Sequence, residues 1–208
     1  MALTPSSLEF RVDGQTSILK GPLLGLCCSR QCPGRPILLA YDLAAALRDA
    51  GIVVISGFHT SVEKDCLDFL LKGTQPVVVV PARGPYTIVP KQLRPGLVQK
   101  RLAILYPFEK GVEHQIAALA GQRNSLVDAL SAALFVIYAH KLSETLARAY
   151  VALDRGQPVF TFNIPENETL LAMGATGLDP GVARDPAKLR NALSWPNPNP
   201  EHRLLPPT

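Results

Sequence analysis

Several short apolar runs in this chain end in the same kind of residue set: small hydroxyls, glycines and cations. Ser29, Arg30 and Gly34 follow "PLLGLCC"; Ser56, Gly57, His59, Thr60 and Ser61 follow "GIVVI"; Ala82, Arg83 and Gly84 follow "PVVVV". His140, Lys141, Ser143, Glu144 and Thr145 follow "ALFVIYA", and Asn163 and Asn167 follow "PVFTF". Glycine amides and hydroxyls can approach a phosphate closely, while guanidinium groups pair with its oxygens, so the set suits a phosphate-bearing ligand. The same residue types also open ordinary strand-to-helix turns. Thr60 or Ser61 equally fits the N-cap of a following helix, with Lys64 and Asp65 on its surface.

Catalysis is poorly supplied. No G-x-S-x-G elbow surrounds Ser56, so Ser56 and His59 make no hydrolase pair. The chain has neither G-x-G-x-x-G nor G-x-x-x-x-G-K-[ST], and no histidine pair has zinc spacing. Glu144 is the only acid in its loop, which leaves little for general acid-base work. Three of the four cysteines crowd into "CCSRQC", without a C-x-x-C pair or zinc-knuckle spacing; they read as thiols of a reducing cytosol. The expectation is a binding protein that is not an enzyme and carries no cofactor or metal. The formal charge of +4 is modest, but its placement is not even. From Gly14 to Tyr41 there is no acid against Lys20, Arg30 and Arg35, and from Ala82 to Arg101 none against Arg83, Lys91, Arg94, Lys100 and Arg101. Such stretches permit an anionic partner. No stretch has the regions of a signal peptide, and no apolar run approaches the roughly 20 residues of a membrane span, so a cytoplasmic protein without membrane contact is expected.

The elements that would position these residues follow from the runs themselves. "PLLGLCC" (22–28), "GIVVIS" (51–56), "PVVVV" (76–80), "LAILY" (102–106), "ALFVIYA" (133–139) and "PVFTF" (158–162) are apolar on both faces, as strands covered on two sides must be. Helical spacing appears between them at 36–50, 62–72, 112–131 and 143–155, with a shorter segment near 90–98. One stripe runs through Leu38, Leu39, Leu43, Ala46 and Leu47 and another through Leu67, Leu70 and Leu71. Gly51, Gly73 and Gly156 stand where left-handed C-caps are wanted. The alternation predicts an α/β fold: a doubly wound, mostly parallel, extended Rossmann-like sheet with helices on both faces. Residues 1–20 read as an N-terminal arm, 21–178 as the Rossmann-like domain and 179–208 as a proline-rich extension ending in an extended tail, "SWPNPNPEHRLLPPT". In such sheets ligands bind outside the carboxyl ends of the strands, where the strand order reverses.

Three segments, in this order, resemble the bacterial DNA-processing protein A family, also called DprA or Smf. "LLGLCCSRQCPGRPILLAYDLAAALRDAGIVVISGFHTSVEKDCLDFLLKG" is similar to the family's opening, where a strand ends in G-S-R and the next leads to S-G-x-A-x-G-I-D-x-x-A-H; Ser29 and Arg30 match the S-R, Ser56 and Gly57 the S-G. "GQRNSLVDALSAALFVIYAHKLSETLARAYVALDRGQPVFTF" resembles F-x-x-R-N-R-I-I-x-x-L-S, the strand after it, the S-G-S-x-x-T-A loop and a g-R-x-V-F-A-V-P strand. Arg123, Asn124, Leu130, Ser131, Ser143 and Thr145 lie on or near those positions, and "NETLLAMGA" resembles the closing N-x-L-I-x-x-G-A. The likeness runs from about Leu23 to Ala175. It departs where the family shows G-I-D and A-H and this chain reads "HTSVEKDCL", where the second arginine of R-N-R is Ser125, and in "KLSETL". A minimal, divergent member without the helical N-terminal domain and the winged helix is expected.

The resemblance implies a non-enzymatic protein that binds single-stranded DNA and hands it to a RecA-type recombinase during natural transformation and DNA recombination, as a homodimer. It implies a ligand or phosphate site at Ser29, Arg30, Ser56, Gly57, Arg123, Asn124, Ser143 and Thr145, to which the residues at the strand ends add Thr60, Arg83 and Lys141. The basic stretches reach the DNA part independently, since cations at a sheet mouth form a salt-sensitive groove along a backbone. The rival reading is a small-nucleotide-binding sensor or a degenerate relative of the phosphoribohydrolases, whose P-G-G-x-G-T-x-x-E is approached here only by "HKLSETLAR". A third is a structural or regulatory partner that has lost its ligand.

Overall fold

In a computed structural model, which describes residues 10–112 and 117–193, all six apolar runs lie in one eight-stranded sheet. The strands are β1 (Arg11–Gly14), β2 (Leu23–Cys27), β3 (Val53–Ser56), β4 (Val77–Val79), β5 (Leu102–Tyr106), β6 (Ala133–Val136), β7 (Val159–Phe162) and β8 (Thr176–Leu178). They are joined by α1 (Gly34–Ala50), α2 (Ser61–Leu71), α3 (Arg94–Val98), α4 (Ala117–Leu130), α5 (Glu144–Asp154) and α6 (Glu168–Ala172), and α7 (Pro186–Ala192) follows β8. The order across the sheet is β1-β5-β4-β3-β2-β6-β7-β8, all parallel except β1, which pairs antiparallel with β5. The chain winds outward from β2 to β5, then returns to the other side of β2 with β6. The order therefore reverses between β2 and β6, whose registers pair Leu24 with Ala133 and Cys27 with Val136.

Alternation along β2 divides the core between two faces. Leu24, Leu26 and Cys28 join the larger cluster with Leu39, Leu43 and Leu47 of α1, Leu67 and Leu70 of α2 and Leu189 of α7. Leu23 joins Ile18, Leu19, Leu126 and Val127 on the other face, and Cys27 joins Ala149 and Ala152 of α5 there. Each large side chain so buried contributes about 1.5–3 kcal/mol.

Some expectations change on folding. Leu38 is 67% exposed: the buried face of α1 runs through Leu39, Ala40, Leu43, Ala44 and Leu47, one residue's rotation away. Gly51 and Gly156 are left-handed as expected (φ 73° each), but Gly73 is not. A Cβ there would lie 2.2 Å from Arg48 Cγ, so that glycine serves a close approach. Val112 is not helical, 113–116 lie outside the described residues, and α4 is described over Ala117–Leu130. Part of the arm, Arg11–Gly14, is an edge strand, and another edge strand is Thr176–Leu178. Within 179–193, Ala183, Leu189 and Leu193 are buried in the larger cluster, and Arg190 Nε donates to Ala50 O at the end of α1. The tail from residue 194 lies outside the described residues. No helix among the described residues is long and apolar enough to cross a membrane.

Candidate functional site

An open cleft of about 340 Å³ lies at the carboxyl ends of β2, β3 and β6, at the reversal of strand order. Its walls are the loops after those strands, the first turns of α2 and α5, and one side of α4.

Hydroxyls knit the loops together. Ser29, buried after β2, accepts from His140 N (3.0 Å) and donates to Ser143 Oγ (3.1 Å), while its own amide donates to Tyr138 O (2.9 Å). Ser143 in turn caps α5 by accepting from Leu146 N at 3.1 Å. The loops after β2 and β6, which flank the reversal, are thus held by one serine on each.

A carboxylate ties in the third loop. Glu63, 6% exposed, accepts from Cys28 N (2.9 Å), His59 N (2.8 Å) and Thr60 N (3.3 Å). Thr60 Oγ1 accepts from Glu63 N, completing a capping box at the start of α2. A buried carboxylate needs such donors, and here they come from two different loops. Counted from Ser56, Glu63 stands where the family motif has its aspartate, so an acid is in place after all, one methylene longer. Between Ser56 and Glu63 the chain turns through Phe58, whose φ of 44° is left-handed despite its side chain. That turn buries the ring in the core, leaves His59 lining the cleft and is held by Phe58 N donating to Ser56 Oγ.

Three arginines line the cleft, in different electrical states. Arg148 forms a two-pronged pair with Asp128 (2.7 and 3.0 Å) and is neutralised there. Arg123 is only 4% exposed and has no such partner among the described residues. Its Nε donates to Asn124 Oδ1 (2.8 Å) and its Nη1 to Val80 O (3.4 Å), leaving three of its five N–H donors without a partner among the described residues. Its guanidinium lies in the space of a missing side chain: a Cβ on Gly57 would fall 1.5 Å from Nη1. Burial pulls the Arg123 guanidinium below its ordinary value, the sign of a cation held away from water. Arg30 is exposed and approaches His59 Nε2 at 3.3 Å. A guanidinium can only donate, so Nε2 must accept and the ring is neutral with its proton on Nδ1. Burial, then the charges of Arg123 and Arg30, lower the His59 pKa below 6.5.

Of the predicted residues, the fold brings Ser29, Arg30, Thr60, Arg123, Asn124, Ser143 and Thr145 to the cleft lining. Gly57 lies beneath as the seat of Arg123, and Ser56 Oγ is engaged in the turn. Asn124 uses its oxygen for Arg123 and its Nδ2 for Glu144 Oε1 (2.7 Å), so it positions the arginine. Lys141 is exposed beside the cleft, and Arg83 lies off it, past β4. Residue types did not expose Glu63 or the Asp128–Arg148 pair. The T-x-x-E spacing of a capping box was the available signal for the first; nothing local marks the second.

The sequence profile of the family described as DNA recombination-mediator protein A matches residues 3–180. No curated protein sequence matches significantly. The fold is similar to that of DNA processing protein A from Streptococcus pneumoniae, with a TM-score of 0.73 and 16% identity over 89% of this chain and 66% of that one. The present chain thus spans just under two thirds of that protein. It is similar also to DNA processing protein A from Helicobacter pylori, with a TM-score of 0.70 and 22% identity over 88% of this chain and 86% of that one. That structure was described for its single-stranded DNA binding mode. The Moco carrier protein of Chlamydomonas reinhardtii shares the fold at a TM-score of 0.53 and 16% identity, over 83% of this chain and 98% of that one.

Proposed function

The chain belongs to the DNA recombination-mediator protein A family, and from that premise we propose that its switch-point cleft binds the backbone of single-stranded DNA. Arg123 carries the reading. Arg123 lies in the field of Glu63 and Glu144 but makes no ion-pair contact among the described residues, so an added anion would offset its burial, and it keeps donors at the place where parallel sheets bind ligands. Arg30 supplies a second, exposed cation across His59, and Ser143 and Thr60 supply hydroxyls. These donors suit phosphate oxygens, so the binding is sequence-tolerant. No catalytic role is proposed: Glu63 is engaged by three amides and Glu144 by Asn124. Family membership supports hand-over of the strand to a RecA-type recombinase, in DNA uptake or recombination, by a homodimer. Four unpaired thiols fit a reducing cytosol.

The size of the cleft favours a second reading. About 340 Å³ falls within the range of small-ligand pockets, so a mononucleotide would fit the same phosphate donors. Titrating labelled oligo(dT) at several salt concentrations, with a nucleotide panel in parallel thermal-shift wells, separates the two. Salt-sensitive oligonucleotide binding, weakened by Arg30→Ala or Arg123→Ala, supports the first reading. Failure of the oligonucleotide to bind even at low salt, with a nucleotide raising the Tm, supports the second.

A further inference from the structure

Beyond β4 the carboxyl end of the sheet carries another built feature. Val80 is part of the cleft's framework: its amide donates to Ser56 O (2.9 Å), and its carbonyl accepts from Arg123. Arg83 follows three residues on, which keeps it within about 11 Å of Val80 along the chain. Its guanidinium carbon sits 4.6 Å from the centroid of the Tyr86 ring, and that ring rests edge-on against buried Tyr106 at 5.8 Å and 78°. The loop bearing them is pinned. Gly84 N donates to Val112 O (2.9 Å), Arg83 Nε donates to Gly84 O (3.3 Å), and a Cβ on Gly84 would lie 2.0 Å from Glu109 O. Arg83 makes no ion pair among the described residues and is half-buried, so a held cation lies over an aromatic ring that is itself braced by the core.

We infer that Arg83 and Tyr86 form a second subsite, a stacking shelf for a nucleobase of the strand that leaves the cleft past β4. The inference rests on the single-strand reading above. Guanidinium planes are established stacking partners for unpaired bases, and a guanidinium already held by a backbone carbonyl and over a tyrosine loses little freedom on binding. At about 3.4 Å per stacked base, that reach limits the chain separation of Val80 and Arg83 to at most on the order of three nucleotides. The shelf therefore serves only strands longer than the cleft itself holds.

The test is binding of oligo(dT) from about 4 to 16 nucleotides, by fluorescence anisotropy, to wild type, Arg83→Ala and Arg83→Lys. Arg83→Ala is expected to match wild type on the shortest strands and to bind the longer ones about 5- to 10-fold more weakly. Arg83→Lys keeps the charge without the plane. It is expected to lose the preference for thymidine over abasic residues in the added segment while keeping the salt dependence. The subsite is overturned, with the cleft left standing, if Arg83→Ala equals wild type at every length or if Arg83→Lys retains the thymidine preference. Failure of wild type to bind at any length refutes the cleft reading and this inference with it.

Discussion

Replacing Gly57 with alanine adds one methyl group and removes no functional atom, yet it should disable the cleft's central cation. The new Cβ would stand 1.5 Å from Arg123 Nη1 and 2.2 Å from Cζ, so the guanidinium must leave its seat. Leaving breaks its bonds to Val80 O (3.4 Å) and Asn124 Oδ1 (2.8 Å). Hydrogen bonds to a charged group contribute about 1.5–3 kcal/mol each, but the displaced arginine regains water, so the net loss of stability should be about 1–2 kcal/mol. The fold survives because the obstructing atoms belong to the end of a flexible side chain. Binding is more sensitive. Losing one aligned phosphate contact lowers oligo(dT) affinity about tenfold and flattens the plot of log K against log salt by about 0.7. Anisotropy titrations at four salt concentrations measure both quantities. Because glycine and arginine act as one unit, Gly57→Ala combined with Arg123→Ala should bind no worse than Arg123→Ala alone. Wild-type affinity and slope in Gly57→Ala, or losses that simply add in the double variant, would refute the reasoning.

Three further outcomes follow from the same geometry. Asp128→Ala leaves the largely buried Arg148 without its counter-ion and should cost about 3–5 kcal/mol in urea unfolding, more than the paired Asp128→Ala, Arg148→Ala variant costs. Glu63→Gln turns an amide N–H₂ toward amides that now donate to a carboxylate. Stability should fall by about 2 kcal/mol, with faster hydrogen exchange at the amides of Cys28 and His59. His59 is held below 6.5, so on acidification the unfolded chain takes up the proton first and stability declines as pH drops through and below about 6.5. A bound phosphate favours the protonated ring, so oligo(dT) affinity should rise over that same range in wild type and stay flat in His59→Gln.

Interior strands were legible because their surroundings are uniform. "VVVV" and "LAILY" are apolar on both sides wherever they pair, so composition alone places them inside a parallel sheet. The edge strands are different. "RVDG" and "TGL" are short and partly polar, and become strands through the partners Tyr106 and Phe160 rather than through a pattern of their own. Turn chemistry at the carboxyl ends likewise located the cleft, since Ser29, Thr60 and Ser143 all face it. What remained hidden is long-range. That Gly57 seats Arg123, 66 positions away, and that Glu63 gathers amides from two loops, are consequences of packing that local spacing does not encode.

The central claim, that single-stranded DNA occupies the cleft at the β2–β6 reversal, is tested most directly by hydrogen exchange with and without oligo(dT). The account predicts slowed exchange in the loops at 29–34, 57–61 and 140–144 and at the start of α4 around Arg123, lost again at high salt. Protection confined to other surfaces, with these loops unchanged while the oligonucleotide is bound, would contradict it.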